Sequence, residues 1–121
     1  MHSFDELAER YIASFNEADP ARRRALIEQL YTEDGGYTDP QVEVQGREQI
    51  DAFIAAVQDQ FPGWRFSLGG EVDAHHHQAR FQWHATAPGA EDPAFIGFDV
   101  LVADDGRVRQ VYGFLDKVPA A

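Results

Sequence analysis

Residues Tyr31 to Pro40 read YTEDGGYTDP. A helical pattern runs into Leu30 and Tyr31, and Gly35-Gly36 is expected to break it. The residue before a proline is pushed out of helical geometry, so Tyr37-Thr38-Asp39 reads as extended. A carboxylate is thereby pinned on a short straight piece where helices give way to strands. What lies on either side decides the fold class.

Upstream, Phe4, Leu7, Ala8, Tyr11, Ile12 and Phe15 recur at helical spacing. Ser3 is placed as N-cap, with Glu6 at capping-box distance. Asp19-Pro20 restarts a second helix, with Asp19 as cap and Pro20 at the first helical position. Leu26, Ile27, Leu30 and Tyr31 form its buried face, and Arg22-Arg23-Arg24 reads as a solvated turn. Downstream, Val42-Glu43-Val44 alternates and Gly46 punctuates. Ile50, Phe53, Ile54, Val57 and Phe61 make a third helical stripe, closed by Pro62-Gly63.

The remainder reads as sheet. Trp64, Phe66 and Leu68 alternate with polar residues, and Gly69-Gly70 marks a bulge or bend. Ala79, Phe81, Trp83 and Ala85 alternate against Arg80, Gln82 and His84. Phe95 to Ala103 is apolar except for Asp99, the pattern of a strand covered on both faces. Asp104-Asp105-Gly106 is a hairpin turn leading into a last strand over Val108 to Val118. The order implies an α+β fold, three helices gathered on one side of a mostly antiparallel sheet. One domain spanning residues 1–121 is expected. A strand apolar on both faces, with few helices to cover the outer one, points to a homodimer.

Composition narrows the function classes. The 121 residues carry 21 acidic and 10 basic side chains, net −11. Such a surface repels phosphate backbones and anionic lipid, so neither nucleic acid nor membrane is an expected partner. No apolar run approaches the roughly 20 residues of a membrane span. With no export signal at the N-terminus, cytoplasm is the default location. The absence of cysteine excludes disulfides, thiolate nucleophiles and cysteine zinc sites.

Several strings resemble the cone-shaped superfamily of nuclear transport factor-like proteins, in particular ketosteroid isomerases and SnoaL-like polyketide cyclases. They are ERYIASFNEAD (Glu9–Asp19), LYTEDGGYTDP (Leu30–Pro40), GREQIDAFI (Gly46–Ile54) and FDVLVADDGRV (Phe98–Val108). DQFPGWRFSL (Asp59–Leu68) is the more SnoaL-like piece. The resemblance implies a curved sheet wrapped around the helices to form a conical pocket, commonly dimerising through the sheet.

Carried onto this chain, the isomerase pattern puts the general base at Asp39, a hydrogen-bonding tyrosine at Tyr11 and a protonated acid at Asp99. The hairpin after Asp99 is one residue shorter than in that pattern. A one-residue slip would turn Asp99 to the other face. Each residue also has a plain structural reading: Tyr11 as a core aromatic, Asp39 as a turn-former, Asp99 as a salt-bridge partner of Arg80. His84, mid-strand, is a fourth candidate acid/base, or a dimer-interface residue. Phe15, Phe53, Phe61, Trp64 and Trp83 are candidate walls for a small hydrophobic ligand.

His75-His76-His77 reads as an exposed turn. Neighbouring strand residues point to opposite faces, so the three do not share one ion, and no metal is expected. No phosphate-cradling glycine loop or serine nucleophile motif is present, so no cofactor is implied. Three functions remain: cofactor-free proton transfer on a hydrophobic carbonyl compound; a non-catalytic ligand-binding or dimeric assembly module; and epoxide-hydrolase-like water activation, to which Asp99 and Arg80 would contribute.

Overall fold

The computed structural model describes residues 3–119. Helix α1 (Phe4–Asn16) starts where Ser3 Oγ accepts the Glu6 backbone N–H at 3.2 Å, satisfying one of the free donors of the first turn. Helix α2 (Pro20–Leu30) is capped by Asp19, whose carboxylate accepts the Arg22 N–H at 2.9 Å. Helix α3 (Arg47–Gln60) follows Gly46, whose φ of 90° suits glycine alone.

The strands are β1 (Tyr31–Thr38), β2 (Glu43–Gln45), β3 (Arg65–Leu68), β4 (Asp73–His75), β5 (Gln78–Thr86), β6 (Phe95–Asp104) and β7 (Arg107–Lys117). They form one sheet in the order β2-β1-β7-β6-β5-β3, with β4 also pairing β5. All pairs are antiparallel except β1 with β7. The architecture is the expected α+β one. The β6–β7 hairpin turns at Asp105 and Gly106, with φ of 52° and 81°, a conformation that Asp-Gly adopts readily.

Two local expectations are corrected. Gly35-Gly36 does not break a helix. The helix has already ended at Leu30, and the two glycines lie inside β1 at a register shift against β7. A side chain on Gly36 would strike Gln110 of β7, so the missing Cβ lets the parallel strand close up. Tyr31 is therefore the first strand residue and not the last of α2. Nor is the arginine run uniformly solvated. Arg23 is buried, with its guanidinium 2.8 Å from both Asp51 and Gln58 of α3. Gln58 in turn donates to the carbonyls of Phe15 and Glu17, so one amide ties α2 and α3 to the end of α1.

Leu7, Ile27, Leu30, Ile50, Ile54, Phe81, Leu101, Val108 and Val111 form the core between helices and sheet. β5 and β6 turn their odd-numbered residues to this side, and so does β7 from Val111 onward; ahead of the register shift in the β6–β7 pair it is Val108 that faces the core, with Arg107 and Arg109 exposed. The outer side of β6 and β7 carries half-buried Phe98 and Val100 beside exposed Tyr112 and Phe114. Phe98 pairs with Phe114, and Val100 with Tyr112. Among the described residues, no helix is long and apolar enough to cross a membrane.

Candidate functional site

A cavity of about 210 Å³ opens between α1, α3 and the inner face of the sheet. Phe15 and Phe53 reach it from the two helices, Phe61 and Trp64 from the end of α3, and Trp83 from β5. Phe61, Trp64 and Phe95 pack edge-to-face or tilted, with ring centroids 5.1–5.7 Å apart, one aromatic wall built from two distant segments. Among the described residues, no Arg, Lys or His lines the cavity.

Two carboxyls enter this apolar space. Asp99 is on the inner face of β6 and only 2% exposed, so the short hairpin leaves it turned inward. Tyr11 Oη donates to its Oδ2 at 2.6 Å, and Trp83 Nε1 donates to its Oδ1 at 3.1 Å. Burial pushes its pKa up to about 6; the Tyr11 and Trp83 hydrogen bonds oppose that rise, and the charge of Asp39 adds to it. Asp39 follows β1 in a half-buried turn. Tyr37 Oη donates to its Oδ2 at 2.7 Å, while the backbone N–H groups of Gln41 and Val42 donate to Oδ1 at 2.8 and 3.1 Å. Burial, reinforced by the charge of Asp99, raises the pKa of both Tyr11 and Tyr37 well above the usual phenol value.

The two acids approach across Gly113 of β7. A Cβ on Gly113 would lie 2.9 Å from Asp99 Oδ1 and 3.2 Å from Asp39 Cβ. Only glycine leaves room there, and so brings β1 and β6 carboxyls to one cavity. Chemically, the arrangement offers two carboxyls in unlike surroundings, each with a phenol, and an aromatic-walled chamber beside them.

Tyr11, Asp39 and Asp99 thus come together, as do all five wall residues. His84 does not join them. It sits one residue beyond Trp83 on a strand, so it points to the opposite face, where it contacts Gln82 at 3.3 Å. Arg80 shares that outer face. It pairs with Asp73 at 3.1 Å and lies over the Phe98 ring, so it is neither the salt-bridge partner of Asp99 nor part of a water-activating set. His76 and His77 form the β4–β5 turn and all three histidines of the run are exposed. Among the described residues, no group of three or more His, Cys, Asp or Glu could hold a metal ion.

Sequence reasoning missed Tyr37 as the partner of Asp39. The signal was present, since residues two apart on a strand share a face. It also placed Trp83 only as a wall. That its N–H meets Asp99 follows from cross-strand register, which local pattern does not carry.

A model of the SnoaL-like domain matches residues 8–111. The chain belongs to the SnoaL-like family. Its solved relatives include a candidate isomerase of the SnoaL-like family from Agrobacterium tumefaciens, 39% identical, with a TM-score of 0.88 over 92% of this chain and 95% of that one. A candidate ketosteroid isomerase from Kribbella flavida is 23% identical, with a TM-score of 0.70 over 96% and 79% of the two chains. A candidate SnoaL-like polyketide cyclase from Jannaschia is 20% identical, with a TM-score of 0.70 over 93% and 86%. The last two share the fold: three helices against a large mixed sheet that does not close, the cone of this SnoaL-like chain. No curated protein matches.

Proposed function

We propose that this SnoaL-like protein is a cofactor-free proton-transfer enzyme, of isomerase or cyclase type, acting on a small hydrophobic carbonyl compound. The observation that carries this is the convergence of Asp39 and Asp99 on one aromatic cavity, in surroundings that treat them differently. Pairs of that kind divide acid and base roles.

Asp39 as carboxylate takes a proton from the carbon next to the carbonyl. The C–H electrons move to the carbonyl oxygen and form an enolate. That oxygen takes the place of the Tyr11–Asp99 contact, so that Tyr11 and a protonated Asp99 both donate to it. Aimed donors in a dry site lower such a barrier by several kcal/mol, roughly a hundredfold each. Asp39 then returns the proton at another carbon; or the enolate carbon closes a ring on a second carbonyl of the same molecule, the first carbonyl re-forms, and the new alkoxide takes the proton back from Asp39. Protonation of Asp99 is required, so turnover falls as pH rises through the apparent pKa of that acid in the complex.

The test is exchange of α-protons for deuterium, followed by proton NMR, over a panel of one- and two-ring ketones. Asp39→Asn is expected to slow exchange by about 10²–10⁴ while retaining ligand binding. Equal exchange in wild type and Asp39→Asn would remove Asp39 as the base. Binding with no exchange anywhere in the panel would favour the non-catalytic ligand-binding module.

The working unit in this proposal is a homodimer, formed through the outer face of β6 and β7. Exposed Tyr112 and Phe114 beside Phe98 and Val100 support it, since contiguous apolar surface of this kind marks an interaction site.

A further inference from the structure

Asp99 is held from both sides, and the two donors differ in kind. A phenol can give or receive a hydrogen bond, whereas an indole N–H only gives. Trp83 therefore faces Oδ1 as a donor in every protonation state of Asp99. A proton arriving on Oδ1 would confront that N–H, so it goes to Oδ2. There Tyr11 can turn its hydroxyl and accept, or give way to a ligand oxygen.

What fixes the indole is a glycine. Trp83 of β5 lies directly opposite Gly97 of β6, and Asp99 is two residues further along the same face. Diagonal neighbours across a sheet are about 7–8 Å apart, within reach of a large aromatic. A Cβ on Gly97 would collide with three atoms of the Trp83 indole, among them Nε1. The ring thus occupies the space of the absent side chain, with its N–H delivered to Oδ1 at 3.1 Å. Phe66 of β3 packs on the ring from another side, centroids 6.1 Å apart.

We propose that Trp83, seated on Gly97, is a positioning residue that confines the proton of Asp99 to Oδ2 and sets the pH at which Asp99 changes charge. Its use in turnover rests on the function proposed above, but the effect itself exists in the empty protein. The other titratable groups facing Asp99 are Tyr11 from α1 and Tyr31, Tyr37 and Asp39 from or just after β1. β7 faces Asp99 with Gly113, which has nothing to titrate.

The experiment is a carbon-13 carboxyl NMR titration of Asp99 in substrate-free full-length protein. A donor to a carboxylate favours the charged form, so Trp83→Phe is expected to raise the Asp99 midpoint by about one pH unit or more. Gly97→Ala keeps the tryptophan but unseats it, and is expected to move the midpoint the same way. The unmodified protein gives a check that needs no stable variant. There are two tryptophans, and the Trp83 indole N–H resonance should titrate with the Asp99 midpoint. A midpoint unmoved in Trp83→Phe, or an indole resonance flat across the Asp99 titration, overturns the proposal. Neither reading involves turnover. Failure here therefore leaves the proton-transfer function standing, and a lack of turnover leaves this effect standing.

Discussion

At the residue scale, the most consequential side chain is Asp99. A carboxyl whose folded pKa is raised to about 6 holds more protons in the folded than in the unfolded chain between about pH 4 and 6. Stability contributed by this group is therefore present at the acid end of that window and lost as pH rises through it. Two units correspond to roughly 3 kcal/mol. Asp99→Asn has no charge to bury, so its unfolding free energy should gain on wild type by about that amount across the window, then run parallel to it above pH 7. Urea unfolding of both proteins from pH 4.5 to 8 measures the difference. A constant gap would mean that Asp99 is not the titrating group. Asp39 stands in contrast: half-buried, with three donors and a turn of its own, it is held by local geometry.

At the element scale, the cavity depends on how α1, α2 and α3 are tied together. α2 packs little apolar surface: of its eleven residues only Ile27, Leu30 and Arg23 are buried. Much of its attachment to α3 is polar, through Arg23 to Asp51 and Gln58. Arg23→Met keeps the stem and deletes two charge-assisted hydrogen bonds. It should lower stability by about 1.5–3 kcal/mol, read as a reduced urea midpoint at unchanged m-value. An unchanged midpoint would mean that the pairing adds nothing net, as some buried ion pairs do. The parallel β1–β7 pair is the other long-range tie. It brings Tyr37 and Asp39, early in the chain, beside Gly113 near its end.

At the scale of the whole molecule, charge and apolar surface pull in opposite directions. A net charge of −11 repels a second copy, while the Phe98–Phe114 and Val100–Tyr112 patch favours one. Added salt screens the repulsion within a Debye length of about 8–10 Å, so association should tighten between low and physiological ionic strength. Phe114→Lys places a desolvated charge at the centre of the patch. Sedimentation velocity should show a dimer for wild type and a monomer for this variant, with the fold unchanged by circular dichroism. A wild-type monomer at micromolar concentration would remove the dimer from the proposed function. The acid-lined cavity belongs to the same electrostatic picture: two carboxyls line it, and among the described residues no cation does.

The sequence by itself determined the parts that local physics controls. Helical stripes, the Ser3 and Asp19 caps, and the Asp-Gly hairpin each depend on residues a few positions apart. Element order then gave the α+β class, and the quoted strings pointed to the family. Only the tertiary structure decided what depends on register between distant strands. It put Gly35-Gly36 inside β1, where room for Gln110 outweighs their usual role as breakers. It turned Asp99 inward, a choice of parity that no local pattern resolves in a strand apolar on both faces, and it put the polar side of β5, with His84, away from the cavity. It buried Arg23, whose partners lie 28 and 35 residues away. Tyr31-to-Pro40 shows the division most clearly. The sequence placed a carboxylate after a short extended piece, and the fold, by bringing Gly113 between Asp39 and Asp99, made that carboxylate half of a pair.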